Sequence, residues 1–316
     1  MATLPADHRG SDPERGADAG LGWRLRQPVV PAAKWALRRY GMATAAGRSL
    51  PDFLVIGAKR GGSTSLYRNL VRTPGVLPLF PRQADVKGTY YFDVEFGRGE
   101  RWYRSHFPST AIRDQAAVRG PVAVGEASPY YLSHPHAAAR AAALVPGARI
   151  LAVLRDPVAR AHSHYQERVR QGIETLPTFA EAIDAEAGRL AGEVEHMLED
   201  PAYVSWNHLN FGYVAQSDYV TGLGRWLSAF PAEQVLVLRS EDFYADDAGV
   251  LARVRGFLGL EARPPAETRQ WNRTGTSDLD AGLARELADR LAPSTAALAD
   301  LLGWPADPWA LDAPVG

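Results

Sequence analysis

Short apolar runs recur along this chain, each closed by glycine or a polar turn and followed by a stretch of helical spacing. Phe53 to Ile56, Val122 to Val124, Arg149 to Leu154 and Val235 to Leu238 are too short for helices and rich in branched residues, so they read as buried strands. Apolar residues return at three- and four-residue intervals over Ser63 to Leu70, Ala137 to Leu144 and Pro157 to about Gln171. The same spacing marks Phe179 to about Met197, Gln216 to Phe230, Gly249 to Leu258 and Asp280 to Ala292, which predicts helices. Apolar strands alternating with helices imply an α/β fold of three layers, a central parallel sheet flanked by helices.

The first strand runs straight into chemistry. Phe53-Leu-Val-Ile-Gly-Ala-Lys-Arg-Gly-Gly-Ser-Thr-Ser-Leu66 is an apolar run, a glycine-rich basic turn and a hydroxyl-rich helix start, with Ser63 placed to cap the helix. A strand that feeds a helix N-terminus across glycines aims free backbone N–H groups and a positive dipole end at one point, where phosphate oxygens bind. The spacing from Gly57 to Gly62 is that of a P-loop, but Ser63 stands where nucleoside triphosphatases place lysine, and the cations Lys59 and Arg60 precede the glycines. That exchange argues against a P-loop kinase or hydrolase, as does the absence of an acidic strand end after Val153-Leu154.

A second strand ends in a comparable site. After Leu154 comes Arg155-Asp-Pro-Val-Ala-Arg-Ala-His-Ser-His-Tyr165, with Asp156 a good N-cap and Pro157 a good first helical residue. Arg155 then sits at the carboxyl end of its strand, the edge where open α/β sheets bind ligands, and Ser163 lies about two turns into the next helix. A planar guanidinium beside a hydroxyl suits a phosphate monoester.

Together these motifs resemble the phosphoadenosine phosphosulfate (PAPS)-dependent sulfotransferases, in particular the branch of heparan sulfate and other carbohydrate sulfotransferases. Ile56 to Leu66 is similar to that family's loop for the 5′-phosphosulfate, and Arg155 with Ser163 to its clamp on the 3′-phosphate. Gly125-Glu-Ala-Ser-Pro-Tyr-Tyr131, Gly172-Ile-Glu174, Phe179 to Ile183, Gly212-Tyr213, Val235 to Asp242 and Phe257-Leu-Gly259 follow in the family's order, so the likeness covers about Pro51 to Gly303. The resemblance implies a P-loop-like sulfotransferase domain over residues 51–303, and transfer of a sulfuryl group from PAPS to a hydroxyl or amine of a carbohydrate, glycolipid or small metabolite. It implies a donor site built by Lys59, Arg60, Gly61, Gly62, Ser63, Thr64, Ser65, Arg155 and Ser163, and needs no metal because the chain supplies the cations. A non-catalytic PAPS-binding protein is the other reading compatible with these motifs.

The departures from the family fall on the catalytic side. Arg60 stands where the loop usually has lysine, and in Lys87-Gly-Thr-Tyr-Tyr-Phe-Asp93 the places of the family's glutamate and histidine hold Gly88 and Tyr90. Lys87 and Asp93 still match. Arg60, Lys87 and Asp93 are therefore the expected catalytic residues, with Asp93 the first candidate for the base and Asp85, Glu126 and His164 behind it. His134-Pro-His136 and His162-Ser-His164 have a spacing that diverges on a helix, without a third ligand cluster, which argues against zinc. Asn272-Arg-Thr-Gly275 is a weak match to a basic loop over the nucleotide, and Tyr90, Tyr91, Tyr130 and Tyr131 are placed to stack on an acceptor. The stretch from Gly188 to Phe211 lacks periodicity and is expected to be a lid or acceptor-side insertion.

Composition narrows the partners. The 316 residues carry a net charge of −1, which excludes the broad basic face of a nucleic-acid binder, and no cysteine, which excludes disulfides and thiol catalysis and fits a cytoplasmic protein. Residues 1–50 form a separate zone: Met1 to Gly20 is polar and predicts disorder, while Leu21 to Leu50 holds six Lys or Arg and no acid, with Trp23, Trp35, Leu37 and Tyr40 interleaved. Such a basic amphipathic stretch packs on its domain or lies on an anionic membrane surface. No apolar run reaches the 18 or so residues that span a bilayer, as in a soluble, bacterial-looking member of the family, and residues 304–316 read as a tail.

Overall fold

The computed structural model describes residues 29–81, 86–262, 267–269 and 279–310. Its sheet has five parallel strands: β1 (Phe53–Gly57), β2 (Val76–Leu77), β3 (Ala123–Ala127), β4 (Arg149–Leu154) and β5 (Val235–Arg239), in the spatial order β2-β3-β1-β4-β5. Helix α1 (Val29–Ala43) precedes the sheet, and α2 (Ser63–Leu70), α3 (Glu100–Arg104) and α4 (Thr110–Ala117) lie between β1 and β3. Helix α5 (Ala137–Leu144) joins β3 to β4. Between β4 and β5 come α6 (Pro157–Arg170), α7 (Phe179–Leu190), α8 (Glu193–Glu199), α9 (Trp206–Phe211) and α10 (Tyr219–Ala229). The chain closes with α11 (Ser240–Ala245), α12 (Asp247–Phe257) and α13 (Ala281–Leu302).

Strand periodicity explains the layers. Along β1 and β4, Leu54, Ile56, Ile150, Ala152 and Leu154 face one side, where Leu223 and Trp226 of α10 cover them. Phe53, Val55, Leu151 and Val153 face the other, against Leu66 and Leu70 of α2 and Leu251 and Val254 of α12. Each of these branched side chains, wholly withdrawn from water, contributes about 1.5–3 kcal/mol. The two-sided burial is why both strands read as continuous apolar runs rather than alternating ones. Phe53 aligns with Gly125 of β3 on one side and with Arg149 of β4 on the other. The chain thus crosses from one flank of β1 to the other between β3 and β4, which opens a crevice at the carboxyl ends of β1 and β4.

Several expected boundaries shift for local reasons. Strand β3 runs on to Ala127 because Gly125 lets the Phe53 ring lie against it, a Cβ there falling 2.5 Å from that ring, and because Glu126 is a buried carboxylate inside a strand. The helix from Phe179 stops at Leu190 and restarts as α8 after Gly192; α10 begins at Tyr219, behind a 3-10 turn at Ala215–Ser217. Helix α13 continues ten residues beyond Ala292, through Pro293. Within the basic N-terminal stretch, α1 rests on the domain: Arg38 Nη1 donates to Phe80 O at 3.2 Å and the Tyr40 and Phe80 rings lie 6.1 Å apart. Residues 1–28, Asp85, Asn272 to Gly275 and 311–316 lie outside the described residues. No helix among the described residues is long and apolar enough to cross a membrane.

Candidate active site

The glycine turn is pressed onto the neighbouring strand. Ala58 N–H donates to Val153 O at 2.7 Å, and a Cβ on Gly61 would stand 2.3 Å from that same carbonyl. Only glycine fits there. Gly62, at φ 102°, takes the cap position of α2, so Ser63 opens the helix as its first residue instead of capping it. No side chain caps this end, and the first amides of α2 face the crevice with the positive end of the helix dipole.

The second motif comes to the same place. Asp156 accepts from Ala159 N–H at 2.7 Å and Pro157 opens α6, which puts Arg155 just beyond the tip of β4. Arg60 Nε donates to Ser163 Oγ at 3.0 Å, and its Nη1 lies 3.3 Å from Glu167 Oε2. The two loops are thus joined by a direct side-chain bond. Arg155 lies close enough to add to the burial that lowers the pKa of both Arg60 and Arg160.

Lys87 reaches the cradle, whereas Lys59 turns to the neighbouring helix. Lys87 Nζ donates to Thr64 Oγ1 at 2.7 Å, and burial, followed by Arg60 and Arg68, brings its pKa down to about 8. Lys59 turns toward α9, donating to Leu209 O at 2.6 Å with its Nζ 5.8 Å from the centre of the Tyr130 ring. Burial, with Arg168 and Arg160 adding like charge, lowers its pKa well below the usual lysine value. So the two adjacent cations of the loop diverge: Arg60 serves the α6 side and Lys59 the α9 side.

The position of the missing glutamate is filled by backbone. Ala127 N–H donates to Lys87 O at 2.7 Å, and a Cβ on Gly88 would fall 2.2 Å from Ala127 O. Residue 88 has no room for a side chain. Asp93 is 3% exposed; its Oδ1 accepts from Val94 N–H at 2.6 Å and its Oδ2 is buried without a hydrogen-bond partner. Burial raises its pKa well above the ordinary value, Glu126 adding to the rise while the Val94 amide, Lys59 and Arg140 oppose it.

The weaker base candidates differ in kind. Glu126 is fully committed: Thr89 N–H (2.6 Å) and the hydroxyls of Thr89, Ser128, Tyr131 and Tyr103 (2.8 to 3.0 Å) all donate to it. It anchors the 87–93 segment to β3. His164 is wholly buried with neither ring nitrogen hydrogen-bonded. Burial first, then Lys59, Arg160 and Arg168, holds its pKa well below the usual histidine value, so the ring is neutral. His136 Nε2 lies 2.6 Å from Met197 O, and among the described residues no three His, Asp or Glu side chains converge to hold a metal ion.

Sequence reasoning missed two buried guanidinium groups behind the cradle, those of Arg160 and Arg168. Arg160, His164 and Arg168 fall at four-residue intervals on α6, one stripe facing the site. Arg160 donates through Nε to Ser217 Oγ at 2.7 Å, through Nη1 to Lys59 O at 3.4 Å, and to Tyr213 O. Arg168 Nη1 donates to Asn210 Oδ1 at 2.7 Å. The interval was visible in the sequence; its direction was not. The stretch expected as an insertion forms α8 and α9, and α9 stands beside the cradle, with Tyr130 Oη 2.6 Å from His208 Nδ1.

Residues 50–276 match the family described as Sulfotransferase domain. Human heparan sulfate glucosamine 3-O-sulfotransferase 3B1 is 29% identical over 236 residues, 75% of this chain and 53% of that protein. Human bifunctional heparan sulfate N-deacetylase/N-sulfotransferase 3 is 32% identical over 216 residues, 67% of this chain and 22% of that protein. The chain spans about half the length, or less, of the curated relatives it matches. The crystal structure of a sulfotransferase from Alicyclobacillus acidocaldarius aligns with a TM-score of 0.57 at 29% identity, over 81% of this chain and 96% of that one.

Proposed function

This chain belongs to the sulfotransferase family, and we propose that it moves a sulfuryl group from PAPS to a hydroxyl or amine of a carbohydrate or glycolipid. The observation that carries this is the Arg60 to Ser163 bond, which puts both phosphate motifs on one crevice. The relatives named for heparan sulfate direct the acceptor toward glycans. The P-loop kinase or hydrolase reading has no cation at residue 63 to grip a triphosphate.

In this reading the amides from Gly61 to Ser65, with Arg60 and Lys87, hold the 5′-phosphosulfate, while Arg155 and Ser163 hold the 3′-phosphate. PAPS supplies an activated sulfuryl group: its sulfur to phosphate-oxygen bond breaks as a bond from sulfur to the acceptor atom forms, and the bisphosphate leaves with the electron pair. Lys87 and the amides at the start of α2 stabilise the charge that builds on the departing oxygen, the main task in such a transfer. Asp93 takes the acceptor proton; its Oδ2 is buried without a hydrogen-bond partner, and burial, by raising its pKa, favours the carboxyl that has accepted a proton. Helix α9, tied to the loop through Lys59, forms the acceptor-side wall.

Incubation with PAPS carrying labelled sulfate and a panel of glycans and phenols tests the reading. Label should appear on a glycan and disappear with Asp93→Asn. Binding of PAPS without transfer to any acceptor, in a chain whose Asp93→Asn variant behaves as the parent, would leave only a nucleotide-binding protein.

A further inference from the structure

Among the described residues, one face of α1 borders an open groove. Trp35, Arg38, Arg39, Met42 and Ala43 recur at the spacing of a single helical stripe and line a groove of about 460 Å3. Its opposite wall is α3, through Arg101, Trp102 and Ser105. The groove therefore has two indole rings, an apolar floor and three guanidinium groups, with no carboxylate in its lining. Arg38 donates to Phe80 O and Arg101 Nε to Met42 O at 3.0 Å, so both are braced by backbone carbonyls, and neither they nor Arg39 forms an ion pair with a described residue. The nearby carboxylates Glu95 and Glu100 are bonded by Arg98 and Arg104 of the same stretch.

We propose that this groove docks the chain on the anionic surface of a lipid bilayer, Trp35 entering the headgroup layer while Arg38, Arg39 and Arg101 meet lipid phosphates. Trp35 is 62% exposed and Tyr40 of the same helix 58%, so α1 leaves two large rings open to water beside its arginines. The Arg39 guanidinium lies 4.8 Å from the Trp35 ring centre, so a sugar does not find that face open for stacking, whereas an indole flanked by arginine is well suited to the headgroup boundary. The stretch from Leu21 to Leu50 contains no acid to oppose an anionic surface. At fifteen residues α1 lies on such a surface rather than crossing it.

Co-sedimentation of the full chain with phosphatidylcholine vesicles, with and without phosphatidylglycerol, tests this. Binding is expected only to the anionic vesicles and weakens as salt is raised. Arg39→Glu should lower the partition coefficient about 30-fold, since it removes one favourable charge and adds an unfavourable one. Trp35→Ala should lower it about tenfold. Both side chains are surface groups, and an unchanged melting temperature verifies each variant's fold. Equal binding to both vesicle types, or parental binding by both variants, overturns the proposal. So does Trp35-dependent binding to soluble heparin without vesicle binding, which would assign the groove to a glycan. Sulfuryl transfer to a soluble acceptor is read separately, so failure here leaves the assignment of the reaction standing.

Discussion

Lys87→Met should change how donor binding depends on pH. In the parent chain the ammonium donates to Thr64 Oγ1 at the start of α2, with a pKa near 8 because it is buried beside other cations. At pH 7 about nine-tenths of the molecules carry this charge, and above pH 8 the free chain progressively loses it. A bound phosphate holds the proton on, so binding takes up a proton, and affinity is full below pH 8 and falls above it. The fall approaches tenfold per pH unit, up to about 30-fold between pH 7 and 9.5. Removing the charged contact at pH 7 costs about 1.5–3 kcal/mol, roughly 10- to 150-fold in Kd. Lys87→Met should therefore bind adenosine 3′,5′-bisphosphate more weakly at pH 7 and with a flatter pH profile, while Lys87→Arg keeps its cation throughout and flattens the profile alone. Titration calorimetry in two buffers of different ionisation enthalpy counts the proton directly. A methionine variant that retains the parental slope would show that the titrating group lies elsewhere.

Other consequences are equally specific. Arg155→Ala and Arg60→Ala should each weaken bisphosphate binding by about 1.5–3 kcal/mol, measured by the same calorimetry; unchanged affinity removes that residue from the donor site. Asp93→Asn should cut kcat by about 10²–10⁴-fold with little change in the KM for PAPS, and the rising limb of the parental pH–rate profile should vanish, because ionisation of a carboxyl with a raised pKa switches the base on as pH increases. Gly88→Glu, which restores the family's carboxylate, should add no activity and lower stability by about 1–3 kcal/mol in thermal unfolding, since its Cβ meets Ala127 O at 2.2 Å. A stable, more active variant would show that the 87–93 segment sits differently.

The sheet was readable because β1 and β4 are buried on both faces and so appear as unbroken apolar runs, and because glycine and Asp156-Pro157 mark the turns that leave them. Strand β2, at two residues, carries no period to read, and α8 and α9 are too short to show one. At the site, the sequence named the residues but not their directions. Lys59 and Arg60 are adjacent in the chain and point to α9 and α6 respectively, a divergence set by a turn in which Arg60 adopts φ 69°. Gly88 read as a lost base, whereas the fold makes it a contact with β3 that excludes any side chain. The roles of Arg160 and Arg168 were not legible, because their partners, Ser217 and Asn210, lie 57 and 42 residues further along the chain, beyond the reach of any local pattern.

Affinity for adenosine 3′,5′-bisphosphate, set against adenosine 5′-monophosphate and ATP with magnesium, reads the paired phosphate grips most directly. The bisphosphate should bind at least about tenfold more tightly than the monophosphate, from the charged contacts made by the 3′ group, and that advantage should disappear in Arg155→Ala. Equal affinity for the two adenosine phosphates, or tighter binding of ATP, would contradict it.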